Sequence, residues 1–455
     1  MKKISTYTLG CKLNFAESSA MAQAFLKQGF ELVPFGEASD VTLINTCSVT
    51  ENANQKCRNV VRQALRKSPE SFVAVVGCYA QLEPEELASI EGVDAVLGAK
   101  EKFEMFDLLD FKKTGDTRIH VSEISTVETF GIGHSMLGDS ASRTQTRAYL
   151  KVQDGCDYTC SYCTIPLARG TSRSQSVEKT ILEARLLIDA GYKEIVLTGV
   201  NIGDYGAKDG STFSELLRAL DQLPIPRLRI SSIEPNLLTG EMIDFIAASK
   251  RIVPHFHLPM QSGSDAVLRA MRRRYTTDLY RERCEEVISK LPDCCIGGDV
   301  IVGFPDETDE HFEETVKFIE DLPLAYLHVF TFSERRDTYA AEQLASKAWM
   351  PTNGKTKSHR SNVLHLLSEK KKRAFYERFT GRELEVLFEN EFSDDREMNA
   401  ETSEKLYCYG HTANYLRVGV AIASKETAQA DLARTFRRVR LTGVDSSLNM
   451  TGELV

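Results

Sequence analysis

Cys156, Cys160 and Cys163 lie within one short run, Gln153-Asp154-Gly155-Cys156-Asp157-Tyr158-Thr159-Cys160-Ser161-Tyr162-Cys163. The C-x3-C-x2-C spacing gathers three thiolates and no fourth, whereas a closed structural zinc site takes four ligands. Cysteine spacing this tight points to a metal, with zinc or a plain structural role as the competing readings. A four-iron cluster held by three cysteines keeps one iron open to another ligand. The motif therefore reads as a reactive centre. Tyr162, between the last two cysteines, suits an aromatic packed against an adenine; a core position is the alternative.

A second trio, Cys11, Cys47 and Cys78, is spread through the first part of the chain. Each cysteine ends an apolar stretch: Thr8-Leu9-Gly10-Cys11, Leu43-Ile44-Asn45-Thr46-Cys47 and Val75-Val76-Gly77-Cys78. In an open parallel sheet the carboxyl ends of the strands meet at one edge, where ligands bind. Three distant thiols would then converge on one crevice, and glycine before Cys11 and Cys78 lets the backbone approach a bulky ligand. The alternative is three unrelated buried cysteines. Cys57, Cys284, Cys294, Cys295 and Cys408 read as structural.

The elements that must position these residues follow from the apolar pattern. From residue 1 to about 138, strand and helix patterns alternate: strands at 4–9, 41–45, 72–76 and 93–97, helices at 15–28, 55–67 and 84–91. This predicts an open, doubly wound parallel α/β domain. Residues 131–146, rich in Gly, Ser and Thr, read as a linker. From about 145 to 375 the alternation returns, with strands at 148–152, 194–197, 227–231, 255–258, 297–302 and 326–330. Six strand–helix units fall short of the eight of a full barrel, so an incomplete (β/α)6 barrel is expected, with the cysteine loop after its first strand. Residues 378–445 read as a small β-barrel with strands at 383–389, 404–409, 415–421 and 434–442, and the tail from Asp445 as frayed.

The chain of 455 residues is long enough for about three domains. Its net charge of −9 argues weakly against a nucleic-acid partner, but basic clusters argue the other way. They lie in 355–382, at Arg269, Arg272, Arg273 and Arg274, and at Arg434, Arg437, Arg438 and Arg440. Such stripes neutralise phosphates even on an acidic protein, although each alone reads more simply as a solvated face. There is no apolar run of membrane-spanning length and no signal-peptide pattern at the start, so a cytoplasmic protein without a membrane partner is expected. Its 11 cysteines then read as thiols or metal ligands.

The C-x3-C-x2-C motif with an aromatic before its last cysteine resembles the radical S-adenosylmethionine superfamily. Together with the three spaced N-terminal cysteines, the chain resembles the methylthiotransferases nearly end to end, including a C-terminal module similar to TRAM. Thr8-Leu9-Gly10-Cys11-Lys12-Leu13-Asn14, Leu197-Thr198-Gly199-Val200-Asn201-Ile202-Gly203 and His257-Leu258-Pro259-Met260-Gln261-Ser262-Gly263-Ser264 resemble the branch that acts on threonylcarbamoyladenosine in tRNA. The isopentenyladenosine branch usually has Gln-Met-Asn after its first cysteine and the ribosomal-protein branch Lys-Asn.

The resemblance implies two [4Fe–4S] clusters, one on Cys156, Cys160 and Cys163 and an auxiliary one on Cys11, Cys47 and Cys78. It implies S-adenosylmethionine on the open iron of the first, cleaved by one electron to a 5′-deoxyadenosyl radical that attacks the adenine C2 position at position 37 of tRNA. Sulfur carried at the auxiliary cluster and methylated by a second S-adenosylmethionine would join that carbon. A tRNA anticodon stem-loop, an electron donor and a sulfur donor are the implied partners. Tyr162, Thr198, Gly199, Ser232, Glu234, Gln261 and Gly303 are the implied cofactor contacts; Arg382, Tyr409, Asn414, Tyr415 and Arg417 are the candidate RNA contacts. Asp306, Thr171 and Arg336-Asp337 depart from the family pattern, which usually has Gly, Arg and Pro-Gly there. The rival readings are the same chemistry on isopentenyladenosine or a ribosomal protein, a radical enzyme that uses its first domain only as an electron relay, and a non-catalytic RNA-binding protein with zinc sites.

Overall fold

The computed structural model describes residues 1–48, 51–135, 146–393 and 406–455. The middle of the expected linker, the boundaries expected near 138 and 145, and the start of the strand expected at 404 lie outside them.

The N-terminal sheet is wholly parallel, with order β2-β1-β3-β4-β5-β6. Its strands are β1 (Lys3–Thr8), β2 (Glu31–Val33), β3 (Val41–Thr46), β4 (Phe72–Gly77), β5 (Ala95–Leu97) and β6 (Arg118–His120). β3 and β4 are buried along their whole length, as strands covered on both faces must be. The order reverses between β1 and β3, and at such a switch point a crevice opens beyond the strand ends.

The central domain keeps all six expected strands: β7 (Ala148–Lys151), β10 (Glu194–Thr198), β11 (Arg227–Ile230), β12 (His255–His257), β13 (Cys295–Val302) and β14 (Tyr326–Thr331). Two three-stranded parallel sheets, β11-β10-β7 and β12-β13-β14, are joined by parallel bridges Leu228–Ile252 and Ser232–His257. The result is an open six-stranded arc whose buried aliphatic and aromatic residues form the largest core in the molecule. A short antiparallel pair, β8 (Gln153–Asp154) with β9 (Arg173–Ser174), braces both ends of the cysteine loop. Helix Phe213–Asp221 opens on a reciprocal capping box between Thr212 and Glu215, which satisfies two amide donors that the helix leaves unpaired.

Helix Gly354–Glu377 leads into a closed barrel, β15-β16-β17-β19-β18, of β15 (Glu383–Phe392), β16 (Leu406–Thr412), β17 (Arg417–Ile422), β18 (Phe436–Val444) and β19 (Met450–Leu454). The tail expected to fray from Asp445 instead supplies β19. It pairs with both β17 and β18 and closes the barrel. Gly452 lies so near Val439 that a Cβ would stand 2.4 Å from its side chain.

Candidate active site

Gly155 turns the chain out of β8 with φ +72, and a Cβ there would stand 2.1 Å from the Thr171 carbonyl oxygen. Only glycine fits this entry to the loop. The Cys156 N–H then donates to Gly170 O (3.0 Å) and the Cys163 N–H to Cys160 O (3.1 Å), which folds the three cysteines into one turn. Each sulfur receives a donor. The Tyr158 N–H reaches Cys156 Sγ and the Ile165 N–H reaches Cys163 Sγ, both at 3.4 Å, and Arg273 Nη1 reaches Cys160 Sγ at 3.2 Å. Burial pushes the Cys156 thiol up to about 11 and the Cys163 thiol up to about 12; it also raises Cys160, against the pull of Arg273. An arrangement that aims donors at three sulfurs yet cannot ionise them alone fits a cationic metal centre, whose binding drives thiol deprotonation.

The second trio converges as expected. Cys11, Cys47 and Cys78 follow β1, β3 and β4 at the carboxyl edge of the sheet. Gly10 has φ +103, and a Cβ on it would stand 2.8 Å from Cys47 Cβ and 3.1 Å from Cys47 Sγ. Gly77, before Cys78, has φ +100 and sits against the Thr46 backbone. These glycines allow the three loop ends to close on one another.

Arg169, in helix Ile165–Arg169 just after the first trio, joins the two centres. Its Nε donates to Cys78 Sγ (3.3 Å), Nη2 to Asn14 Oδ1 (2.6 Å), and Nη1 to Asp154 Oδ1 (2.9 Å) and Glu17 Oε1 (3.1 Å). Glu17 is fully buried and also accepts from Lys102 and Lys151, each at 2.7 Å. Lys102, Lys151, Arg169 and Arg173 thus face the two carboxylates Glu17 and Asp154. Of this cluster, the Arg169 Nε is the donor turned on Cys78 Sγ.

Beside Cys163 of the first trio lies a cavity of about 210 Å³, lined by Tyr162, Cys163, Gln261, Asp299, Ile301 and Phe332 among others. Tyr162 and Gln261 both line this cavity; Gln261 holds φ +63, and its carbonyl accepts the Ile301 N–H (2.9 Å). Asp299 Oδ1 accepts from His257 Nε2 (2.9 Å) and His328 Nδ1 (3.1 Å), and Ser232 Oγ bonds His257 Nδ1 (2.6 Å). The two imidazoles hold the Asp299 carboxyl well below the usual carboxylate range, against the effect of its burial. Thr198 Oγ1, Ser231 Oγ and the Asn201 amide, at the carboxyl ends of β10 and β11, are buried without a hydrogen-bond partner, which fits a polar cofactor beside them. A Cβ on Gly199 would meet Gln153 Oε1 at 2.9 Å. That oxygen already accepts the Val200 and Asn201 N–H groups, both at 2.9 Å.

Glu234 is paired with Arg273, the arginine that also reaches Cys160. Arg273 therefore belongs to the site; its sequence setting, among four arginines in six residues, shows only a basic cluster. Gly303 has φ +71, and a Cβ there would meet the Lys357 side chain at 2.4 Å, so the strand end packs closely on the basic helix.

The candidate RNA residues divide. Tyr409 and Arg417 stack, with the guanidinium 3.9 Å from the ring centroid, and Tyr407 lies beside them. Asn414 is buried and donates to Asp293 O (3.1 Å), and Arg382 clamps the Asp293 carboxylate at 3.0 and 2.6 Å, so both tie the barrel to the central domain. Tyr415 also turns inward, its ring 4.5 Å from that of His255 and 4.8 Å below the Arg229 guanidinium. Asn414 and Tyr415 are both candidate RNA contacts; Asn414 is buried by docking of the barrel, while Tyr415 stays partly exposed with its ring packed inward.

Residues 3–98 match the family described as "Uncharacterized protein family UPF0004", and residues 150–319 match the Radical SAM superfamily. The chain is 38% identical over 422 residues to the threonylcarbamoyladenosine tRNA methylthiotransferase MtaB of Bacillus subtilis, covering 92% of this chain and 90% of that protein. It is 36% identical to the protein of the same name from Aquifex aeolicus, covering 85% and 92%. A tRNA-2-methylthio-N(6)-dimethylallyladenosine synthase of Porphyromonas gingivalis is 34% identical, covering 76% of each chain. Among solved structures, the radical S-adenosylmethionine methyltransferase TsrM of Kitasatospora setae, with cobalamin and a [4Fe–4S] cluster bound, superposes with a TM-score of 0.56. At 15% identity, over 76% of this chain and 78% of that one, it shows a shared fold. With two trios of cysteines linked through Arg169 and these relatives matched over most of its length, the chain belongs to the radical S-adenosylmethionine methylthiotransferase family.

Proposed function

We propose that the protein inserts sulfur and a methyl group at C2 of N6-threonylcarbamoyladenosine at position 37 of tRNA. Family membership carries with it S-adenosylmethionine and two [4Fe–4S] clusters, and Cys156, Cys160, Cys163 and Cys11, Cys47, Cys78 are the residues that would hold the clusters. When bound, these groups supply a carbon-centred radical and a transferable sulfur, chemistry that side chains at neutral pH do not provide.

The chain's own part is positioning. Tyr162 and Gln261 line the cavity beside Cys163. Gln153 fixes the turn after β10, and Arg273 holds Glu234 beside Cys160. Arg169 locks the two cysteine loops at one separation through Cys78, Glu17 and Asp154. That fixed spacing is what a substrate held between two centres requires. The stacked Tyr409–Arg417 pair, with Tyr407 and the basic helix, supplies aromatic faces and positive charge suited to an RNA strand.

The observation that carries this reading is the Arg169 link between the loop of the first trio and Cys78 of the second, in a chain similar over most of its length to relatives named for this modification. A cytoplasmic site of action follows from a tRNA substrate, and no helix among the described residues is long and apolar enough to cross a membrane. Mass spectrometry of tRNA nucleosides from a deletion strain tests it. Loss of the methylthio-threonylcarbamoyl nucleoside is expected. Its persistence in a strain without a paralogue, or loss of the isopentenyl counterpart instead, would overturn the assignment.

A further inference from the structure

His257, Asp299 and His328 stand together on one face of the sheet β12-β13-β14. Asp299 is the register partner of His328, and His257 pairs with Gly297, two residues before Asp299. Residues two apart along a strand share a face, so the three side chains meet. One ligand atom from each lies within 4.8 Å of the others. Asp299 Oδ1 is 2.9 Å from His257 Nε2 and 3.1 Å from His328 Nδ1. Atoms bound about 2.1 Å from one ion at tetrahedral or octahedral angles stand about 3.0–3.4 Å apart, so both contacts are close to the spacing of neighbouring ligands. The other nitrogen of the His257 ring, Nδ1, bonds Ser232 Oγ at 2.6 Å. Such an outer hydrogen bond fixes the orientation and tautomer of a ligating imidazole. The hydroxyl can serve in either sense, accepting when Nδ1 carries the proton and donating when Nε2 does.

We propose that His257, Asp299 and His328 bind a divalent transition-metal ion, with Zn²⁺ the best match, as a mononuclear centre separate from both cysteine trios. Two imidazoles and a carboxylate, with no thiolate among them, suit zinc or another divalent first-row ion and do not suit an iron–sulfur cluster. Three protein ligands leave a coordination position open, as in catalytic zinc sites. Asp299 lines the cavity beside Cys163, and 54% of the His328 side chain is exposed. An ion therefore has access from solvent, and its open position has room for water or another oxygen ligand. The inference does not depend on which nucleoside the protein modifies.

Wild type with its iron sites fully loaded under anaerobic conditions is dialysed against Zn²⁺ and analysed for zinc and iron. One zinc per chain is expected, with the iron content unchanged. Zinc K-edge X-ray absorption should then show nitrogen and oxygen ligands alone, at about 2.0–2.2 Å. Asp299→Asn, which keeps the side-chain shape, and His328→Ala, at a half-exposed position, should each keep their iron and bind zinc about tenfold more weakly or worse. Absence of zinc from the loaded wild type overturns the proposal, because hydrogen bonds alone then account for the three side chains. Sulfur in the zinc shell, at about 2.3 Å, also overturns it. So does zinc bound by both variants as tightly as by the wild type. The zinc count and absorption spectrum of the wild type decide the matter even if a variant fails to assemble.

Discussion

Arg169 Nε lies 3.3 Å from Cys78 Sγ, so an arginine of the radical domain donates to a sulfur of the N-terminal domain. The same guanidinium reaches Glu17, Asn14 and Asp154, and it is buried. Removing it leaves Glu17 and Asp154 short of a partner inside the interface. Arg169→Met is expected to destabilise the protein by about 3–5 kcal/mol and to loosen the auxiliary site. Thermal melts with iron analysis check this. A variant with wild-type melting and full iron content would show that the arginine is dispensable.

Arg273 couples Cys160 to Glu234. A cation that donates to a ligand sulfur stabilises the more negative, reduced state of a cluster. Arg273→Met should therefore shift the reduction potential of the cluster on Cys156, Cys160 and Cys163 to a more negative value, with little effect on the other. Redox titration followed by electron paramagnetic resonance distinguishes the two. An unchanged potential would remove Arg273 from the electrostatics of the site.

Glu183 is buried and accepts only a neutral donor, Gln175 Nε2, at 3.1 Å. Burial pushes its carboxyl up to about 7. The folded protein thus binds this proton more tightly than the unfolded chain. Stability from the group is fully present below the unfolded value near 4.3 and is lost as pH rises through about 7. Glu183→Gln should then be close to neutral at pH 4 and stabilising at pH 8, by about 3 kcal/mol. Denaturant melts at the two values check the sign; a larger gain at the lower pH would contradict it.

The cysteine crevice is legible in the sequence because its cause is local: apolar strands end in Gly-Cys or Thr-Cys, and parallel strand ends share an edge. Arg169 and Arg273 were not legible as members of the site. Their roles come from partners far away in sequence, and nothing near them separates a buried arginine from a surface one. β19 was missed because Met450-Thr451-Gly452-Glu453-Leu454 has weak strand character of its own and is held by its barrel neighbours. β2 and β6, three residues each at the sheet edges, escaped for the same reason.

The departures from glycine also gain a physical reason. Asp306 and Asp337 have φ +58 and +59, a region that Asp tolerates better than most side chains. Asp306 adds a side-chain bond, accepting the Met350 N–H at 3.0 Å. Asp337→Gly should change stability by less than about 0.5 kcal/mol, while Asp337→Ala should cost about 1 kcal/mol. Chemical denaturation of the two variants measures this. Equal stability of the Ala and Gly variants would show that the backbone at 337 relaxes.

The central claim is that six sulfurs act as two trios, both required. The most direct measurement pairs iron and product analysis on the Cys11→Ala/Cys47→Ala/Cys78→Ala variant and the wild type, after identical anaerobic loading. Wild type is expected to hold about eight irons per chain and the variant about four. The variant should retain 5′-deoxyadenosine formation and yield no methylthiolated nucleoside. Unchanged iron, or methylthiolated product from the variant, would contradict the account.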